Sequence, residues 1–182
     1  DLQIQEITNT PDAIMPVGLE IGQDKFFASF EVDIDGKSEH IKISGQADRI
    51  DKIGGVHRII DYKSGKCDKN KLSVPHKGAE DRMHKLIEHD AKGYVRQLFM
   101  YALMFRSQYP HVQEFSAGII SMVNLRNWLQ NVEPEEKNVS ILSNKLLDEF
   151  QEEMLAKLEE LFDLNYIFEH NPSSDYCEHC GV

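Results

Sequence analysis

Alternation of apolar and polar positions begins near residue 25 and predicts a series of β-strands. The stretch KFFASFEVDI is aromatic and β-branched, and the Asp35-Gly36 pair that follows it is a strong signal for a tight hairpin turn. Gly54-Gly55 marks a second turn. The pattern therefore predicts a three-stranded antiparallel meander. Its segments are residues 25–34, a return strand at 39–45 that continues into 45–52, and a last strand at 56–63.

Apolar spacing further along the chain predicts two helices and one buried strand. Residues 92–108 and residues 144–164 both place apolar side chains at helical intervals. Between them, residues 114–123 form a nearly continuous apolar run, which is typical of a strand covered on both faces. The order β-β-β-α-β-α favours a mixed α/β or α+β domain over a helical bundle or a barrel.

These elements divide the chain into three parts. Two prolines in residues 1–24 predict an irregular lead-in, residues 25–125 hold the predicted core, and residues 126–182 hold the last helix and a cysteine-containing tail. The sequence has no initiator Met and stops within CEHCGV. We therefore expect it to be a fragment of a longer protein.

Composition narrows the class of protein. The 182 residues are 41% hydrophobic and 28% charged, which suits a globular domain, and no apolar run is long enough to predict a membrane span. Three unevenly spaced cysteines predict no disulfide framework and favour the reducing cytoplasm. The formal charge of −11 argues against broad, non-specific binding of nucleic acid, which needs clustered Lys and Arg.

The second turn has a consequence for two acids. If Gly54-Gly55 are the two loop residues, Asp51 faces Arg58 as an ion pair, and Asp48 faces Asp61 across the hairpin. Lys63 shares the face of Asp61, because it lies two residues further along the strand. Two facing carboxylates share a proton, take a basic neighbour or bind a metal ion. A solvated pair compensated by Lys63 is the plainer alternative.

The surroundings of Asp61 favour the metal. The acid ends an apolar strand, RIID, so we expect it at the edge of the buried core. Oxygen ligands hold Mg²⁺ or Mn²⁺, which activates water and neutralises charge on a phosphate, while a lysine orients the water or stabilises negative charge. The backbone carbonyl of Tyr62 is a further candidate ligand. This combination suits phosphodiester hydrolysis.

Three ordered motifs, GQADRID, IIDYKSG and QLFMYAL, resemble those of the PD-(D/E)XK nuclease superfamily over roughly residues 25–125. The similarity is greatest to the nuclease domains of RecB- and AddB-type helicase–nucleases. The resemblance implies a restriction-endonuclease-like core and a DNase that works in DNA repair or recombination with a helicase-like domain or subunit. It also implies roles for five side chains: metal binding by Asp48 and Asp61, catalysis by Lys63, and helix-motif roles for Gln97 and Tyr101.

The chain departs from the family pattern at both ends. The family's first helix, which supplies another metal ligand, is expected upstream of this sequence, and Glu20 is a weak substitute. Cys177 and Cys180 resemble the start of an iron–sulfur motif, but two cysteines do not complete a four-ligand iron–sulfur or zinc site, so we expect a cluster only in a longer chain. The alternative function is a catalytically silent domain of the same fold that guides DNA or scaffolds a repair complex.

Overall fold

A computed structural model describes residues 14–21, 26–75, 81–88, 92–123, 129–134 and 140–167. The described part contains eight strands, three α-helices and the short 3-10 helix Lys69–Leu72. The strands are β1 (Met15–Ile21), β2 (Phe27–Ile34), β3 (Lys37–Ser44), β4 (Ala47–Ile53), β5 (Val56–Lys63), β6 (Phe115–Ser121), β7 (Leu129–Asn131) and β8 (Ile141–Leu142). The helices are α1 (Arg82–Glu88), α2 (Gly93–Gln108) and α3 (Asn144–Phe162).

A six-stranded mixed sheet forms the centre of the fold. Its strand order is β1-β4-β5-β6-β7, with β8 pairing to β6 beside β7. Strands β5 and β6 are parallel, because helix α2 crosses over between them, and the other pairs are antiparallel. This mixture of parallel and antiparallel strands with helices confirms the predicted α/β class.

The first part of the predicted meander differs from the structure. Strands β2 and β3 form a separate two-stranded sheet, and β1 pairs with β4 instead. Residues 15–21 are therefore a strand rather than part of an irregular lead-in. Pro16 disfavours a helix, as expected, but it does not prevent a strand, because β1 is an edge strand whose register shifts between Pro16 and Gly18, where a missing N–H is tolerated. The proposed domain boundaries stay a prediction.

The glycine turn between β4 and β5 has the predicted form. Gly54 and Gly55 have φ of +56° and +89°, which glycine adopts without strain and which match the twist of a two-residue hairpin loop. Ile53 consequently faces Val56, and the register continues to the pair Arg49–Ile60. The predicted register of this hairpin is confirmed over the five residue pairs that run from Ile53–Val56 to Arg49–Ile60.

Helix α2 packs on the sheet, and its apolar face lies in the main core. Leu98, Phe99 and Phe105 are fully buried, and the rings of Phe99 and Phe150 from α3 meet edge to face with centroids 5.0 Å apart. Every residue of β6 is buried, as its apolar run predicted. Ser143 caps the N-terminus of helix α3, because its side chain accepts a hydrogen bond from Leu146 N at 3.2 Å.

The far end of α3 is less buried than its apolar spacing predicts. Met154 is still buried, but Leu161 and Phe162 are 51% and 42% exposed. Within the described ranges, no helix combines the length and apolar character needed to cross a bilayer.

Candidate active site

The two predicted acids are neighbours at the open end of the β4–β5 hairpin. The paired register ends at Arg49 and Ile60, and Asp48 and Asp61 are the next residues along the two strands, close enough for the charge of Asp48 to raise the pKa of Asp61. The Oδ2 atom of Asp48 accepts a hydrogen bond from the backbone N–H of Tyr62 at 2.8 Å. This bond holds the Asp48 carboxylate against the end of β5, beside Asp61.

Asp61 is a buried carboxylate with an incomplete set of partners. It is 4% exposed. Its Oδ2 atom lies 2.8 Å from Nζ of Lys63, and its Oδ1 atom accepts a 3.3 Å hydrogen bond from Nε2 of Gln97. Within the described part of the chain, this Oδ2 atom is shielded from solvent and has no polar partner besides Lys63. A carboxylate oxygen can accept from more than one donor, so Oδ2 has acceptor capacity left beside Lys63.

Gln97 connects the strand residues to helix α2. Its Oε1 atom accepts a 2.9 Å hydrogen bond from the Lys63 ammonium, and its Nε2 atom donates to Asp61 and, at 2.9 Å, to the hydroxyl of Tyr101. The amide orientation follows from charge, because a carbonyl suits an ammonium and an NH₂ group suits a carboxylate. Gln97 therefore fixes the lysine and the acid relative to each other.

Tyr101 forms the inner wall of the site. Its ring is buried against Phe26, with centroids 5.9 Å apart. A Cβ atom at Gly45 would lie 3.0 Å from Cε1 of the Tyr101 ring, so glycine is needed where the chain passes this helix. Burial raises the pKa of the Tyr101 hydroxyl, with a smaller opposing effect from Gln97. The hydroxyl is therefore a neutral hydrogen-bonding group at ordinary pH.

The electrostatic environment of Asp61 favours a bound cation. Burial raises the pKa of Asp61 above its ordinary value. The hydrogen bond and charge of Lys63 lower the pKa, and the negative charge of Asp48 raises it further. Lys63 thus compensates the two acids only in part, and a divalent cation would stabilise the ionised form of both.

The remaining predicted ligands are Glu20, the backbone carbonyl of Tyr62, Cys177 and Cys180. The register pairs Leu19 with Arg49 and Ile21 with Ala47, so the backbone of Glu20 lies across from that of Asp48. Tyr62 lies on β5 between Asp61 and Lys63, and the role of its carbonyl stays a prediction. Cys177 and Cys180 lie outside the described residues.

The donors that are present suit a hard divalent ion. Among the described residues, no three His, Cys, Asp or Glu side chains come together as a complete metal cage. Asp48 and Asp61 nevertheless offer carboxylate oxygens, the ligands that Mg²⁺ and Mn²⁺ prefer, and Oδ2 of Asp61 has only Lys63 as a partner among the described residues. Mg²⁺ commonly keeps several waters and needs few protein ligands, so the residues fit such an ion.

A mixed sheet that presents two acids and a lysine to the amide of a packed helix has the architecture of a restriction-endonuclease-like domain. The family model of the PD-(D/E)XK nuclease superfamily matches residues 2–182, and the chain belongs to that superfamily. This confirms the superfamily resemblance, whereas the RecB/AddB subtype stays a prediction. Comparison with curated proteins found no match, and comparison with solved structures found none.

Membership gives the chain a coarse biochemical class. Proteins of this superfamily are generally nucleases, which hydrolyse phosphodiester bonds, and they typically use divalent metals such as Mg²⁺ or Mn²⁺. A nuclease-type domain implies DNA binding. The individual roles of Asp48, Asp61, Lys63, Gln97 and Tyr101 stay predictions.

Two residues at the site were missed by the sequence analysis. Tyr94 lies one helical turn before Gln97 on α2, and the ammonium of Lys63 is 5.5 Å from the centroid of its ring. The ammonium of Lys71 is 5.6 Å from the same centroid. Helical spacing back from Gln97 was a usable signal for Tyr94. No local pattern connects Lys71 to it.

Proposed function

We propose that this domain is a metal-dependent deoxyribonuclease that hydrolyses DNA phosphodiester bonds. One observation supports the proposal most directly. Asp61 is a buried carboxylate beside a second acid, and the Lys63 ammonium is the single cation paired with it among the described residues. An acid in that state is costly to a fold unless a ligand uses it, and oxygen-rich acid pairs are what divalent cations bind.

Each side chain has a proposed task. Asp48 and Asp61, with the carbonyl of Tyr62, would hold Mg²⁺ or Mn²⁺. Such an ion lowers the pKa of water and neutralises charge on the phosphate. Lys63, held by Gln97 through a 2.9 Å hydrogen bond, places a positive charge where negative charge develops on the phosphate. Tyr101 supports Gln97 and thereby keeps that charge in position.

Glu20 is proposed as a third carboxylate of the same site. Its backbone position on β1 is level with Asp48, which is itself level with Asp61. Opposed residues of antiparallel strands share a face of the sheet. A carboxylate carried at this backbone position would give the ion a further oxygen ligand. The expected result of Glu20→Gln is a higher Mg²⁺ concentration for half-maximal cleavage, with a smaller loss at saturating Mg²⁺.

The wider setting is proposed from the motif resemblance. Like the RecB- and AddB-type nuclease domains that GQADRID and IIDYKSG resemble, the domain would work within a helicase–nuclease or another DNA repair or recombination protein in the cytoplasm. A helicase-like domain or subunit would deliver the DNA, which offsets the net charge of −11 on this domain. An iron–sulfur cluster involving Cys177 and Cys180 would need further ligands.

A cleavage assay tests the function. Linear single- and double-stranded DNA is incubated with the protein and Mg²⁺, Mn²⁺ or EDTA, and products are resolved by length. We expect cleavage only with a divalent ion, and losses of at least about 100-fold for Asp61→Asn and for Lys63→Ala. The matched control is Lys42→Gln on β3, whose ammonium lies over the ring of Phe27 away from the site.

Two outcomes would contradict the proposal. Cleavage that survives both Asp61→Asn and Lys63→Ala would place the activity elsewhere. Salt-sensitive DNA binding without cleavage under any metal condition would favour the catalytically silent module.

A further inference from the structure

A basic stretch follows the candidate catalytic lysine in an otherwise acidic chain. Residues 63–71, KSGKCDKNK, contain four lysines and one aspartate, whereas the whole chain has a formal charge of −11. The stretch runs from the end of β5 into the 3-10 helix Lys69–Leu72. Positive charge is therefore concentrated on one side of the candidate active site.

The aromatic ring of Tyr94 lies between the start and the end of this stretch. It is half-buried on the first turn of α2. The ammonium groups of Lys63 and Lys71 lie 5.5 Å and 5.6 Å from its ring centroid. The same Lys63 ammonium donates to Gln97. Tyr94 thus extends the candidate active site by one helical turn, toward the N-terminus of α2.

Lys92 fixes the geometry of this region. Its ammonium donates to the backbone oxygens of Asn70 and Ser73, both at 2.8 Å, and to the Ser73 hydroxyl at 2.9 Å. These bonds connect the start of α2 to Asn70 within the 3-10 helix and to Ser73, which follows that helix. The backbone that carries Lys71 is consequently fixed near the start of α2 before any ligand arrives, which lowers the entropy cost of ordering it on binding.

The lysines of the stretch differ in how their charges are used. Lys66 lies 2.9 Å from Asp68 and Lys69 lies 3.7 Å from Glu133, and such exposed pairs are weak and easily exchanged. Lys71 has no carboxylate partner within the described ranges, and its ammonium contacts only the Tyr94 ring there. The charge of Lys71 is therefore available to a phosphate.

We propose that Tyr94 and Lys71 bind an unpaired DNA strand beside Lys63, with a base stacked on the Tyr94 ring and a neighbouring phosphate on the Lys71 ammonium. The inference rests on the proposed nuclease function, because it names the substrate form that the same site takes. An aromatic ring flanked by cationic groups is the combination that holds single strands. Bases within a duplex are stacked on each other and are unavailable to the ring, so paired DNA does not use this contact.

The test measures binding separately from cleavage. Fluorescence anisotropy of a labelled single-stranded oligonucleotide, in EDTA so that no metal-dependent cleavage occurs, compares the protein with Tyr94→Leu, Tyr94→Phe and Lys71→Gln. We expect Tyr94→Leu to weaken binding at least about fivefold and Tyr94→Phe, which keeps the ring, to change it less than about twofold. Lys71→Gln should reduce the slope of log affinity against log salt by about 0.7.

Controls make the result specific. Lys42→Gln removes another lysine that contacts an aromatic ring, on β3, and should leave strand binding unchanged. Blunt duplex of the same length should bind more weakly, and Tyr94→Leu should affect its binding less than about twofold. Thermal unfolding followed by circular dichroism verifies that each variant is folded. Lys71→Gln serves as the second test if Tyr94→Leu fails to fold.

The outcomes separate this inference from the proposed function. Unchanged strand binding in a folded Tyr94→Leu variant, or in Lys71→Gln with an unchanged salt slope, would overturn the inference even if the protein cleaves DNA. Equal losses on single strands and duplex would also overturn it. Strand binding that depends on Tyr94 in a protein that never cleaves would leave the inference standing and contradict the nuclease function.

Discussion

The β4–β5 hairpin carries a buried aspartate on each of its faces, and the two have opposite environments. Asp51 is 0% exposed and receives two hydrogen bonds from Arg58, at 2.7 Å and 2.8 Å, with Arg49 2.5 Å from its Oδ2 atom. Asp61 is 4% exposed, and among the described residues its one cationic partner is Lys63, whose ammonium lies 2.8 Å from Oδ2. The first acid is fully compensated and the second is not.

This difference separates a structural ion pair from a functional one. Arg58 is a forked donor that matches both oxygens of Asp51, so nothing is left for a ligand to bind. Lys63, the partner of Asp61, also donates a hydrogen bond to Gln97. A second acid, Asp48, lies near Asp61. Natural proteins keep such incomplete compensation mainly where function needs it. The comparison therefore predicts which acid can be neutralised without harm to the fold.

The largest expected contrast is in stability. Asp51→Asn removes the charge that pairs with the buried Arg49 and the partly buried Arg58, and should lower the free energy of unfolding by about 3–5 kcal/mol. Asp61→Asn removes a poorly compensated charge and should leave stability unchanged or higher at neutral pH. Urea unfolding in EDTA measures both. Equal losses of unfolding free energy for the two variants would contradict the proposed difference between Asp51 and Asp61.

The next largest effect concerns the wall of the site. Gly45→Ala puts a methyl group 3.0 Å from the Tyr101 ring, which must shift together with Gln97. We expect a loss of about 1–3 kcal/mol in unfolding free energy and a lower rate of cleavage, because Lys63 loses a fixed partner. Gly65→Ala is the stability control, since no atom lies within 4 Å of its added Cβ. A fully active, fully stable Gly45→Ala would show that Tyr101 does not hold the site together.

The smallest expected effect is a pH dependence of stability. Burial raises the pKa of folded Asp61 above its ordinary value of 3.8, so folding favours the protonated acid. As pH rises from 3.8 through the raised pKa, the unfolded chain ionises more readily than the folded one, and the protein loses stability relative to Asp61→Asn. Above the raised pKa the difference is constant. Urea unfolding of both proteins in EDTA across this range measures it, and a difference that grows with pH in favour of the native protein would contradict the assigned cause.

Local rules were sufficient for the hairpin that carries the acids. Two glycines at the turn set the register, and the two-residue period of a strand placed Lys63 on the face of Asp61, as the structure has it. The proline rule excluded a helix in residues 1–24 but left β1 unpredicted, because a proline is tolerated in a strand where its missing N–H faces no partner. The edge position that made it harmless is a property of the assembled sheet.

The sequence by itself determined the register of the β4–β5 hairpin and the proximity of Asp48 to Asp61, because these follow from backbone periodicity and turn geometry over short separations. Only the tertiary structure decided that Gln97 bridges Lys63 and Asp61, and that Tyr94 lies beside both Lys63 and Lys71. Those contacts join a strand, a 3-10 helix and a helix that are far apart along the chain. Their relative position is set by packing of the whole core, which no local pattern records.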